Sequence, residues 1–112
     1  MTDEELVDGL KALAHPVRLR IMQALTGKER NVGEIDDAAE IGQPTLSQQL
    51  AVLRNVGLVH TRKDAKLVYY RIDESKLAQI VAATEALGSS QSRPVRPVRQ
   101  PTPGVANFAS LG

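Results

Sequence analysis

The chain contains no cysteine and no tryptophan, and its two tyrosines and one phenylalanine make up only 3% of the sequence. Without thiols there is no disulfide framework, no thiolate metal site and no thiol redox switch. So few aromatic rings argue against a stacking platform for single-stranded nucleic acid. No apolar run approaches the roughly 18 residues that a membrane span needs. The opening MTDEELVDG is acidic, whereas a secretory signal starts basic and then turns apolar. With 112 residues there is room for about one domain. The expectation is a small cytoplasmic domain with no membrane partner.

The net charge of +1 offers no overall field for a polyanion, but the charges are segregated. Residues 1–40 carry a net −4, residues 41–92 a net +2, and residues 93–112 a net +3 from Arg93, Arg96 and Arg99. An acidic N-terminal third followed by a basic remainder hints at nucleic-acid contact. From Gly88 the chain reads GSSQSRPVRPVRQPTPGVANFASLG. Gly and Ser give flexibility and repeated Pro favours extended backbone, so 88–112 is expected to be a disordered tail. Its Arg-Pro-Val repeat would at most add non-specific phosphate affinity. The folded domain is then 1–87.

Helix signals dominate that domain. Thr2 with Glu5 forms a capping box ahead of Leu6, Leu10 and Leu13, a helical stripe through about Ala14. His15-Pro16 breaks it and starts a second helix with Leu19, Ile21, Met22 and Leu25, stopped by Gly27. Asn31 with Glu34 caps a short third helix holding Val32, Ile35 and Ala39. After Ile41-Gly42 a fourth helix, 43–56, buries Leu46, Leu50 and Leu53 at i, i+4, i+7. Two β-prone runs within 59–72 flank Lys63-Asp64-Ala65-Lys66 and read as a hairpin with a charged tip. A last helix, Ser75 to Leu87, carries Leu77, Ile80, Val81, Thr84 and Leu87 on one side. The fold class is mainly α with a small β-hairpin, in the order α-α-α-α-β-β-α. Helices three and four form a helix-turn-helix and the hairpin is its wing.

Leu10 to Ile21, with Ala14-His15-Pro16-Val17-Arg18-Leu19 at its centre, resembles the opening signature of the ArsR/SmtB bacterial repressors. The likeness continues through Ile41-Gly42-Gln43-Pro44-Thr45-Leu46-Ser47-Gln48-Gln49-Leu50, Val52-Leu53-Arg54, Gly57-Leu58-Val59 and Leu67 to Ile72. It covers residues 5–87 and implies a homodimeric repressor of an inverted-repeat operator on double-stranded DNA. It also implies that the first and last helices form the dimer interface, here Leu6, Leu10, Leu77, Ile80, Val81, Thr84 and Leu87. Pro44 departs from the polar residue common at its position in that family.

The residues agree with DNA binding on their own terms. A recognition helix meets base edges with its N-terminal side chains. Gln43 and Gln48 carry amides suited to adenine, and Thr45 and Ser47 reach base or phosphate. Pro44 sits among them, and Arg54 lies further along the same face. No acidic residue occurs between Gln43 and Arg62. In the wing, Arg62, Lys63 and Lys66 suit phosphates or a narrow minor groove, with Asp64 weakening the local field. Tyr69 and Tyr70 point to opposite faces of their strand and read as structural.

The family's sensor chemistry is missing. Asn31 and Gly33 stand at the cysteine positions of the third helix, and Gln23 stands where some members carry a cysteine in the second. The last helix, Ser75 to Leu87, has no His and a single acid, Glu85. His15 reads as a cap and His60 as an exposed strand residue. Asp36, Asp37 and Glu40 read as a solvated acidic patch. No metal, no cofactor and no catalytic residue is expected, and the inducer is unknown. The competing reading is a winged-helix module for protein interaction or dimerisation without sequence-specific DNA binding.

Overall fold

Local capping starts the first three helices where the sequence places them. In the computed structural model, which describes residues 1–88, α1 spans Asp3–Leu13. Thr2 Oγ accepts from the Glu5 amide at 3.1 Å, and the Glu5 carboxylate accepts from the Thr2 amide at 2.8 Å. α2 spans Pro16–Ala24, and His15 Nδ1 accepts from the Val17 and Arg18 amides at 3.2 and 3.4 Å. α3 spans Val32–Ala39 behind a second capping box, Asn31 with Glu34, both bonds 2.9 Å. Each box satisfies two helix-end groups that would otherwise lack partners.

The fourth helix, α4, spans Thr45–Asn55, a little shorter than 43–56 because Pro44 is its N-cap and Val56 its C-cap. The hairpin follows as β2 (Val59–Asp64) and β3 (Leu67–Ile72), and α5 spans Glu74–Gly88. An additional strand, β1 (Arg30–Asn31), pairs antiparallel with β3, so the sheet has three strands in the order β1-β3-β2. Two residues are too few to leave a strand pattern in the sequence. Residues 1–82 form one compact unit. Apart from Gly88, the expected 88–112 tail lies outside the described residues.

The core gathers one face from every helix: Ala12, Ile21, Met22, Leu25, Ile35, Leu46, Leu50, Leu53, Leu58, Val59 and Ile80. On α2 the inward stripe runs 18–21–22–25. Leu19 is one position off it and 46% exposed. Arg18 closes the stripe by donating to Ala12 O at 2.7 Å and to Gln49 Oε1 at 2.8 Å, tying α1, α2 and α4 together. Arg20 serves α3 similarly, donating to the carbonyls of Ala39 and Glu40 at its C-terminal end. Gly9 lets α1 and α5 close up: a Cβ there would sit 2.6 Å from Ile80 Cδ1.

The two faces of α4 should therefore respond differently to truncation. Leu50→Ala, at 1% exposure, should cost about 2–5 kcal/mol in urea unfolding. Gln48→Ala, on the exposed side, should stay within about 0.5 kcal/mol.

Candidate nucleic-acid interface

The turn into α4 is built from specific bonds. Glu40 and Gly42 take left-handed backbone with φ of 55° and 83°, a conformation glycine adopts without strain. Asp36 Oδ1 accepts from the Ile41 and Gly42 amides at 3.1 and 2.8 Å. Asp36 is thus a structural residue of the turn, not part of a solvated patch. Leu46, Leu50 and Leu53 then hold α4 by its buried side. Gln43, Pro44, Ser47, Gln48 and Arg54 are exposed and Thr45 is half-buried. Gln43 Oε1 accepts from the Ser47 amide at 3.1 Å, so Gln43 supplies the side-chain bond that Pro44 does not give the helix start. Gln49 turns inward to Arg18.

The wing divides its cations between two faces. Cross-strand register pairs His60 with Arg71, Arg62 with Tyr69 and Lys63 with Val68. Successive side chains alternate across a sheet, so Arg62 and Lys63 project from opposite faces of the hairpin. On Lys63's face, Val59 is buried and Tyr70 and Ile72 pack against the core. On Arg62's face, His60, Arg62 and Asp64 make ion pairs. Arg62 Nε lies 2.8 and 3.1 Å from the two Glu29 oxygens, and its Nη2 also donates to Glu29. Its guanidinium sits 4.9 Å from the Tyr69 ring centroid. Lys63 and Lys66 are exposed, and no ion pair to either occurs among the described residues. Glu29 is the residue that sequence reasoning missed at this surface.

The same face of β2 carries a second tie. His60 Nε2 lies 2.7 Å from Asp73 Oδ2, and Asp73 Oδ1 accepts from the Lys76 amide at 2.9 Å as the N-terminal cap of α5. These two bonds, the amide first and His60 second, hold the Asp73 carboxyl below its ordinary range. The reading of His60 as a plain exposed strand residue is thus incomplete: it joins the wing to the last helix.

The apolar residues expected at a dimer interface fall into three groups. Leu6 and Leu77 are half-buried against the core. Leu10, Val81, Thr84 and Leu87 are exposed. Ile80 is buried in its own chain at 2% exposure, because Gly9 leaves it room against α1. Val7, not anticipated from the sequence, is an exposed apolar residue of α1.

The profile described as "Bacterial regulatory protein, arsR family" matches residues 15–61. A biofilm growth-associated repressor of Xylella fastidiosa (strain Temecula1) is 46% identical over 89 residues, spanning 80% of this chain and 78% of that protein. The chain belongs to the arsR family of bacterial regulatory proteins. It is a DNA-binding transcriptional regulator. The Vibrio cholerae transcriptional activator HlyU is 42% identical over 72 residues, 64% of this chain and 67% of that protein. Among solved structures, the transcriptional repressor BigR from Xylella fastidiosa superposes with a TM-score of 0.62 at 46% identity, covering 78% of this chain and 96% of that one. Gln23 is exposed on α2, Asn31 caps α3 and Gly33 lies in its first turn. No group of three or more acidic, histidine or cysteine side chains suited to a metal occurs among the described residues.

The lowered Asp73 carboxyl gives a pH prediction. A carboxylate whose pKa is lowered by folding stabilises the fold above its unfolded pKa, about 4, and loses that contribution as pH falls through the folded value. Asp73→Asn retains a capping oxygen but not the charge. Its thermal midpoint should fall below the parent's at neutral pH, and the gap should close as pH drops below about 4. Asp73→Ala removes the cap as well and should cost about 1 kcal/mol at neutral pH.

Proposed function

We propose that the chain is a homodimeric repressor that inserts α4 into the major groove of an inverted-repeat operator and rests its wing on the flanking backbone or minor groove. The observation that carries this reading is the rotation of α4. Its leucine stripe is buried, which leaves Gln43, Thr45, Ser47 and Gln48 at the outward N-terminal end, and no carboxylate occurs in the sequence from there to Arg62. Gln48 is the stronger candidate for a bidentate adenine contact. Gln43 would have to release its bond to the Ser47 amide to offer its oxygen to a base. Arg54, Lys63 and Lys66 suit phosphates, which set register and affinity but carry no sequence information.

Dimerisation is supported by exposed apolar side chains on α1 (Val7, Leu10) and on α5 (Val81, Leu87). A two-fold dimer would place its recognition helices about 34–36 Å apart, one turn of DNA, or a multiple of that. Release from DNA would use a signal other than thiol oxidation or the family's cysteine-ligated metals, since the chain has no cysteine.

The test is binding to the region upstream of the chain's own gene. Gln48→Ala and Ser47→Ala should reduce discrimination between that duplex and an unrelated one, by about 1–3 kcal/mol if a bidentate contact is lost. Unchanged affinity and specificity in Gln48→Ala would remove α4 as the recognition helix. Lys63→Ala should weaken binding to both duplexes and lower the salt-dependence slope by about one. Failure of the parent chain to bind either duplex at low salt would favour a protein-interaction module.

A further inference from the structure

Arg62 is the wing cation whose charge is already matched. Glu29, in the segment between α2 and β1, takes the guanidinium through its Nε and Nη2. Asp64 lies 3.7 Å from Nη1 on the other side, and Tyr69 sits beneath the cation. The Nε/Nη2 fork that fits a carboxylate also fits a phosphate, so a phosphate can take that edge of Arg62 only where Glu29 has left it. Lys63 and Lys66 carry no such partner among the described residues. The pairing holds the Glu29 carboxyl below its ordinary range, with the Arg62 hydrogen bond as the main cause.

We propose that Glu29 is an affinity-setting residue: it holds the Nε/Nη2 edge of Arg62 in the free protein, and a DNA phosphate takes that bidentate edge only by displacing it. This inference rests on the reading of the wing as a DNA contact. Displacement leaves Glu29 unpaired beside a polyanion, so each protomer binds less tightly than its count of wing cations implies. The segment that carries Glu29 continues directly into β1 and α3. The restraint on the wing is therefore anchored in the chain that leads into the helix-turn-helix, 33 residues away from Arg62 in sequence.

The experiment uses the full chain, Glu29→Gln, Arg62→Ala and the double variant. Binding is measured by fluorescence anisotropy across a salt series, against the duplex upstream of the gene and an unrelated duplex of equal length. Glu29→Gln should bind both duplexes about two- to fivefold tighter at low salt, the scale of an exposed ion pair. Its logarithmic salt slope should steepen by about one per protomer as Arg62 gains a phosphate. Both gains should vanish in the Arg62→Ala background. If the parent binds DNA and Glu29→Gln binds no tighter, the restraint does not exist, while the wing reading survives. A gain that persists in full with Arg62→Ala would make Glu29 a source of general repulsion and overturn the proposal. If the parent binds neither duplex, the wing reading fails and takes the proposal with it.

Discussion

The burial of Leu46, Leu50 and Leu53 fixes the rotation of α4 about its own axis, and much of the remaining surface is arranged around that rotation. A helix has one angular freedom that its position does not settle, and three fully buried leucines remove it. Burying a leucine is worth about 1.5–3 kcal/mol. That scale makes any other rotation, which would expose the stripe, strongly unfavourable. What remains outward is an amide- and hydroxyl-bearing face with no carboxylate. The Asp36 bonds to the turn and the Arg18 bond to Gln49 then hold the helix at both its entry and its middle. On the proposed reading, the site is the by-product of a core decision.

Charge in this protein acts at short range. The net +1 of the chain hides an acidic N-terminal third, yet several of those charges have structural tasks. Arg18 and Arg20 hold carbonyls at the ends of α1 and α3, and Asp36 holds the turn. Glu5 and Glu34 close capping boxes. Glu29 reaches across to the wing. These charges are committed to local bonds, so a bare count describes the acidic third poorly.

Helix starts, the leucine stripe of α4 and the hairpin were all legible in the sequence, because each depends on residues a few positions apart. The family was legible for the same reason, through blocks of adjacent residues. Long-range choices were not. Strand β1 exists because β3 offers it an edge, and no two-residue pattern announces that. The match of Arg62 to Glu29 depends on the fold bringing together segments far apart in the chain. Ile80 was expected at the dimer interface because it lies on the apolar side of the last helix, which the family resemblance places there. In the fold it packs into the core, where Gly9 leaves room for it. One miss had a visible signal: Gln49 falls at i+3 from Leu46 and i−4 from Leu53, on the buried stripe, so its inward position follows from helical period.

The adjacent pair Gln48 and Gln49 provides the most direct test of the central claim, that the rotation of α4 selects the residues that meet DNA. Their side-chain amide resonances can be followed by NMR while the upstream duplex is titrated in. The account predicts that the Gln48 amide shifts strongly on binding while the Gln49 amide, held by Arg18, stays near its free position. A shift at Gln49 with none at Gln48, or specific binding that moves neither, would contradict it.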